Sequence, residues 1–214
     1  GIALDTLIFT NLSPEHIESH GSFNNYLQAK LKLAKAVAKS SKPIRRVIAN
    51  VDNHYGPNFM IYDVDHNVPY SLKDVEIKKQ DDKESVIVYK GETITLPLPG
   101  TFNIYNALAA LTYGETQEIS VETMKRGLES LKQIRGRVEK VTVGNKQNFT
   151  VVVDYAHTDD SLKKLYETFP KKKGARNIAV LGGTGGGRDS WKRQVMGAIA
   201  DEYCDEIILT NEDP

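Results

Sequence analysis

Residues Phe9 to Leu33 read FTNLSPEHIESHGSFNNYLQAKLKL. Ser22 stands where a helix N-cap belongs. Behind it Phe23, Tyr26, Leu27, Leu31, Ala34 and Val37 recur at the three-and-four spacing of one buried helical face. Lys30 falls on that stripe, whereas Lys32, Lys35 and Lys39 fall off it. This placement predicts a buried Lys30 with its amine turned towards His16. A buried ammonium is costly unless it is paired or changes its chemistry. The neutral amine can react with carbon dioxide to give a carbamate, an anion able to hold a metal. His16 follows the strand-like run Leu7-Ile8-Phe9, where a loop could present an imidazole to the same ion. Spacing alone equally allows Lys30 to snorkel to the surface and His16 to be a solvated histidine at a helix start.

Moving outward, Arg45 to Val51 (RRVIANV) reads as a second strand with Asn50, Asp52 and Asn53 at its carboxyl end. Ligands of open α/β sheets bind at such ends, although Asn and Asp there also simply make turns. Asp74 to Leu98 changes texture. DVEIKKQ, SVIVYKG and ETITLPL alternate and carry β-branched residues between polar turns, which predicts an antiparallel meander. LPGTFNIYN then leads into the helix ALAAL, with Asn103 and Asn106 one turn apart, so both carboxamides share a face and suit a base edge. Capping is the plainer use of such residues. Ser120 to Leu131 reads as an amphipathic helix, and the basic, glycine-bearing joint Ile134-Arg135-Gly136-Arg137 follows it as a hinge.

The remainder alternates strand and helix: Val151–Val153, Ser161–Phe169, Asn177–Leu181, Trp191–Tyr203 and Glu206–Thr210. This βαβαβ order predicts a parallel, right-handed, nucleotide-type fold. Gly182 to Asp189 (GGTGGGRD) is a glycine-rich strand-to-helix turn whose N–H groups could cradle a phosphate. It is not a Walker A string, and no G-x-x-x-x-G-K-S/T occurs in the chain.

With 28 basic and 28 acidic residues among 214, the chain gives no electrostatic case for nucleic acid or an anionic membrane. No apolar run approaches the ~20 residues of a membrane span. The single Cys204 cannot form an internal disulfide, in keeping with a reducing cytosol. The chain enters directly on a strand and stops at Asn211-Glu212-Asp213-Pro214, after another. Both ends look cut, so a fragment is expected.

Taken in order, these strings resemble the Mur ligases along nearly the whole chain. They are most similar to the branch that adds the third residue to a UDP-N-acetylmuramoyl dipeptide. The resemblance implies an α/β protein: residues 1–134 as the later part of the central ATP-binding domain, and 135–214 as the start of a Rossmann-like C-terminal domain. It implies a cytoplasmic, monomeric, ATP- and magnesium-dependent ligase of peptidoglycan precursor synthesis. There the peptide carboxylate becomes an acyl phosphate, which the amine of a free amino acid attacks.

By the same resemblance His16 is a magnesium ligand and Lys30 is carbamylated. Asn50 and Asp52 match an Asn-x-Asp pair, and Asn103 and Asn106 contact adenine. Arg137 reaches the phosphates, Asp154 holds the ribose, and Tyr155 and His157 line the nucleotide. Arg188, with Asp189, Lys192 and Arg193 in a G-x-R-D-x-x-K-R string, helps hold the amino acid. Arg135 and Asp159 stand where the family has proline. Glu212 and Asp213 depart from the D-N-P-R string of diaminopimelate-adding members, and an acidic pocket at Asp213 favours lysine or another basic diamino acid, with diaminopimelate next. As a fragment of such a ligase the chain is expected to be inactive alone. Two alternatives stay open: a related ligase such as cyanophycin or folylpolyglutamate synthetase, and a non-catalytic nucleotide-binding remnant.

Overall fold

The structure, a computed structural model, describes residues 2–15, 17–142, 144, 146–183 and 191–211. The expectations for His16, Arg188, Asp189, Glu212 and Asp213 therefore lie outside the described residues. The chain opens with β1 (Thr6–Phe9), the single turn α1 (Ile17–His20), α2 (Phe23–Ala38), β2 (Arg46–Asn50), the short α3 (Gly56–Phe59) and β3 (His66–Tyr70). Ser22 caps α2, its hydroxyl accepting from the Asn25 amide at 3.1 Å. The three strands form a parallel sheet in the order β1-β2-β3. Around its first two strands Phe9, Leu27, Leu31, Ala34, Val47 and Phe59 make one core cluster. Arg45 clamps the start of β2 to that of β3, its Nε donating to Asp65 at 3.0 Å.

The expected meander is present as β4 (Val75–Gln80), β5 (Ser85–Tyr89) and β6 (Glu92–Leu96), antiparallel in that order. Its alternating inner side chains, Ile87, Ile94 and Leu96, join Ile48, Ile104, Leu108 and Leu111 in a second core. The last three come from α4 (Thr101–Thr116), the helix that ties meander and sheet together. α5 (Val121–Glu129) is capped by Ser120 and lies against β6.

After the Ile134–Arg137 turn come β7 (Glu139–Val141), β8 (Val151–Val153), α6 (Asp159–Thr168), β9 (Ile178–Gly183), α7 (Trp191–Tyr203) and β10 (Glu206–Asn211). β9 and β10 pair in parallel, as the βαβ reading requires. β8 departs from it: the strand pairs antiparallel with β7 and not with β9. β8 has only three residues, two of them exposed, and its partner β7 precedes it by a short connection.

Candidate functional site

The loop leaving β1 and the open side of α2 enclose a cleft of about 230 Å³ bordered by Phe9, Leu12, Glu15, Tyr26, Lys30 and Phe59. Lys30 is exposed, which corrects the expectation of a buried lysine. The apolar stripe is buried where the sheet backs it, but at the level of Lys30 the helix looks into this cleft. The Lys30 amine lies 5.2 Å from the centre of the Tyr26 ring, close enough for a cation–π contact. Among the described residues no three His, Cys, Asp or Glu side chains form a metal-holding group. The cleft still suits a hard cation in part. Glu15 contributes a carboxylate, the oxygen donor that magnesium favours, and a carbamate on Lys30 would add another.

The carboxyl end of β2 is heavily bonded. Asn50 is buried, donates to the Thr10 carbonyl at 2.9 Å and accepts from the Asp52 amide at 3.1 Å. Asp52 accepts from the Ser71 hydroxyl at 2.8 Å, the Leu72 amide at 2.8 Å and the Tyr105 hydroxyl at 3.0 Å. Partial burial pushes its carboxyl up, but these donors outweigh that and hold it below the ordinary aspartate range. On the first turn of α4, Asn103 donates to the Pro99 carbonyl at 2.8 Å, and Asn106 donates to Asn103 Oδ1 at 3.2 Å. The two carboxamides do share a face. Asn106 is exposed, with the rest of its amide available to a ligand.

A third group sits on the turn after β8. Asp154 accepts from the Val138 amide and from the Ala156 amide, both at 2.8 Å, which fixes the turn to the incoming linker. The Arg137 guanidinium stacks 4.8 Å from the centre of the exposed Tyr155 ring, presenting a cation beside an aromatic face. His157 faces an acceptor at each ring nitrogen: the Tyr155 carbonyl at 3.0 Å from Nδ1 and Glu15 at 2.7 Å from Nε2. Lys192, at the start of α7, is 3.5 Å from the same Glu15 oxygen. Asp154, Tyr155 and His157 also border a larger cleft of about 540 Å³ between β8 and β9, whose walls include Leu162, Tyr166 and Ile178.

Glu15 thus brings together the loop before His16, the turn after β8 and the start of α7. Sequence reasoning passed over it, although a carboxylate directly preceding a candidate metal-binding histidine was the available signal. Tyr105 was missed too, between two asparagines that drew the attention.

The sequence pattern of the Mur ligase middle domain matches residues 1–114, and that of the Mur ligase glutamate ligase domain matches residues 136–214. The UDP-N-acetylmuramoyl-L-alanyl-D-glutamate–2,6-diaminopimelate ligase of Clostridium tetani is 35% identical over 100% of this chain and 44% of its own length. A solved structure of a ligase of that name superposes with a TM-score of 0.61 at 25% identity, covering 99% of this chain and 44% of that one. The MurF ligase of Thermotoga maritima in complex with ADP shares the fold, with a TM-score of 0.69 at 17% identity over 98% of this chain and 48% of that one. The chain therefore spans less than half the length of the curated relatives it matches.

Proposed function

The chain belongs to the Mur ligase family, and on that premise we propose that it is part of an ATP-dependent ligase joining a free amino acid to a UDP-N-acetylmuramoyl peptide. The observation that carries this reading is the meeting at Glu15 of the β1 loop, His157 and Lys192. His157 and Lys192, matched to nucleotide and amino-acid binding, lie far from Glu15 in sequence and meet it there, beside the cleft that Lys30 borders. Residues 1–134 and 135–214 act as two domains about the Ile134–Arg137 turn, and ATP contacts both of them.

In this reading Asn103 and Asn106 read the adenine edge, and Tyr155 offers a stacking face. Arg137, always cationic and bidentate, takes phosphate oxygens. Asp154 holds the ribose, and His157 lines the nucleotide. His16 and a carbamate on Lys30 would hold magnesium, which would supply charge neutralisation for the phosphates. Arg188, Asp189 and Lys192 orient the amino acid so that its amine meets the activated carboxyl carbon, which is a gain from proximity. The acceptor is a diamino acid. The names of the relatives favour diaminopimelate, whereas the acidic residues Glu212 and Asp213 favour lysine. The protein works in the cytoplasm as a monomer.

The test is equilibrium binding of a fluorescent ATP analogue to the chain, followed by ligation assays with UDP-N-acetylmuramoyl dipeptide and either diamino acid. Binding that weakens about tenfold or more in Arg137→Ala, or severalfold in Asn106→Ala, supports the assignment, since charge-assisted hydrogen bonds contribute about 1.5–3 kcal/mol and neutral ones about 0.5–1.5. Wild-type binding that neither substitution changes would refute the nucleotide site. Retained binding without ligation would favour the second reading, a nucleotide-binding remnant.

A further inference from the structure

We infer that Asp52 is a positioning residue that fixes the base-reading face of α4 relative to the β1 cleft; this rests on the adenine assignment above. Its place at the carboxyl end of β2 is where a ligand-contacting acid would be sought. Its oxygens are instead engaged within the N-terminal region. Oδ1 takes the Ser71 hydroxyl, and Oδ2 takes both the Leu72 amide and the Tyr105 hydroxyl. Its own amide is held by Asn50, whose carboxamide reaches on to the Thr10 carbonyl in the cleft. An unbroken set of hydrogen bonds thus runs from Thr10 through Asn50 and Asp52 to Tyr105.

Gln80 of β4 donates to the Thr101 hydroxyl at 2.8 Å and ties the start of α4 to the meander, but not to the β1-β2-β3 sheet. The N-cap of α4, Gly100, has a φ of +97° and offers no side chain to the first turn. Asn103 and Asn106 are bonded to Pro99 and to each other, so they do not fix the helix to the sheet. The ring of Tyr105 packs against the core cluster of the meander, and its hydroxyl is the group that meets Asp52. That hydroxyl is pushed up to about 12, first by burial and then by Asp52, so it remains a donor at neutral pH. A hydrogen bond to a charged acceptor is among the stronger ones. Rotation of the first turn would have to break it.

Two variants test the inference. Tyr105→Phe removes the hydroxyl and keeps the ring. Asp52→Asn keeps the shape but removes the charge and accepting capacity for three donors. Hydrogen exchange at the amides of residues 101–106 is measured beside the ratio of affinities for ATP and for ITP, which differs at the base edge. The expected result for Tyr105→Phe is exchange faster by about tenfold or more, the size that loss of one charge-assisted bond implies. The preference for ATP should fall by a similar factor, with unfolding still cooperative. Asp52→Asn should do the same or more. Unchanged exchange in Tyr105→Phe overturns the positioning role whatever the nucleotide data show. Faster exchange in a protein whose wild type does not distinguish ATP from ITP leaves the positioning role standing and removes the adenine reading instead.

Discussion

In β2 the side chains of Val47, Ile48 and Ala49 are fully enclosed, whereas in β9 and β10 Val180 is 69% and Leu209 77% exposed. The two sets of strands are alike in composition and both pair in parallel. What differs is the number of layers. β2 is the middle strand of its sheet and has α2, α3 and α4 packed on it. The β9–β10 pair has α7 against β10, and its remaining apolar face meets solvent or the cleft beside β8. Strand composition therefore declares an intention to be buried, and the neighbouring elements decide whether it is met.

The sharpest way to break this contrast is to shorten one side chain in each region. Ile48→Ala should cost about 2–5 kcal/mol by leaving a cavity in a closed core. Val180→Ala should stay within about 0.5 kcal/mol, as exposed substitutions do. Denaturant unfolding measures both, and equal costs would mean that the C-terminal strands are covered in solution. Glycines offer a second contrast, of opposite sign. A Cβ at Gly56 would lie 2.0 Å from the Asn50 carbonyl oxygen, so Gly56→Ala should destabilise by about 1–3 kcal/mol. Gly197, inside α7, has nothing within 4 Å of such a Cβ. Gly197→Ala should stabilise by about 0.5–1 kcal/mol through helix propensity.

A smaller effect probes a flaw in the better-packed region. Ser85 is fully buried on β5 and its hydroxyl has no hydrogen-bond partner. Ser85→Ala should raise stability by about 1 kcal/mol by removing an unsatisfied polar group, as long as the small gap closes. The smallest effect is acid sensitivity at the β2–β3 clamp. The Arg45 hydrogen bonds, above all the side-chain one, lower Asp65 from 3.8 to about 2. A depressed carboxyl stabilises the fold above its unfolded value and loses that contribution as pH falls through its folded value. The loss should therefore fall between pH 3.8 and about 2, and Asp65→Asn should flatten the stability profile in that window.

Much of this was legible in the residues. The period of 3.6 behind Ser22 foretold α2 and its cap, and the period of 2 in SVIVY and ETITL foretold the meander. β3 was not foreseen, because HNVPY contains polar residues and a proline. Proline is tolerated there since β3 lies at the edge of its sheet. A helical wheel placed Lys30 on the correct stripe but could not know where the sheet behind that stripe ends. The shared face of Asn103 and Asn106 follows from helix geometry and was readable. The Glu15–His157 bond joins residues 142 positions apart, and no local pattern encodes such a meeting.

The turn between β4 and β5 carries a further implication. Asp82 there pairs with Lys172 at 2.6 Å, and its carbonyl accepts from Lys140, across to the C-terminal region. Salt weakens exposed charged contacts such as the Asp82–Lys172 pair more than half-buried ones such as the Glu15–Lys192 pair. The interiors of the two regions rest mainly on apolar area, which added ions do not weaken. Ionic strength is therefore a dial on how firmly the regions hold each other, largely separate from how firmly each holds itself. A saltier cell would be expected to have a looser joint built on the same parts.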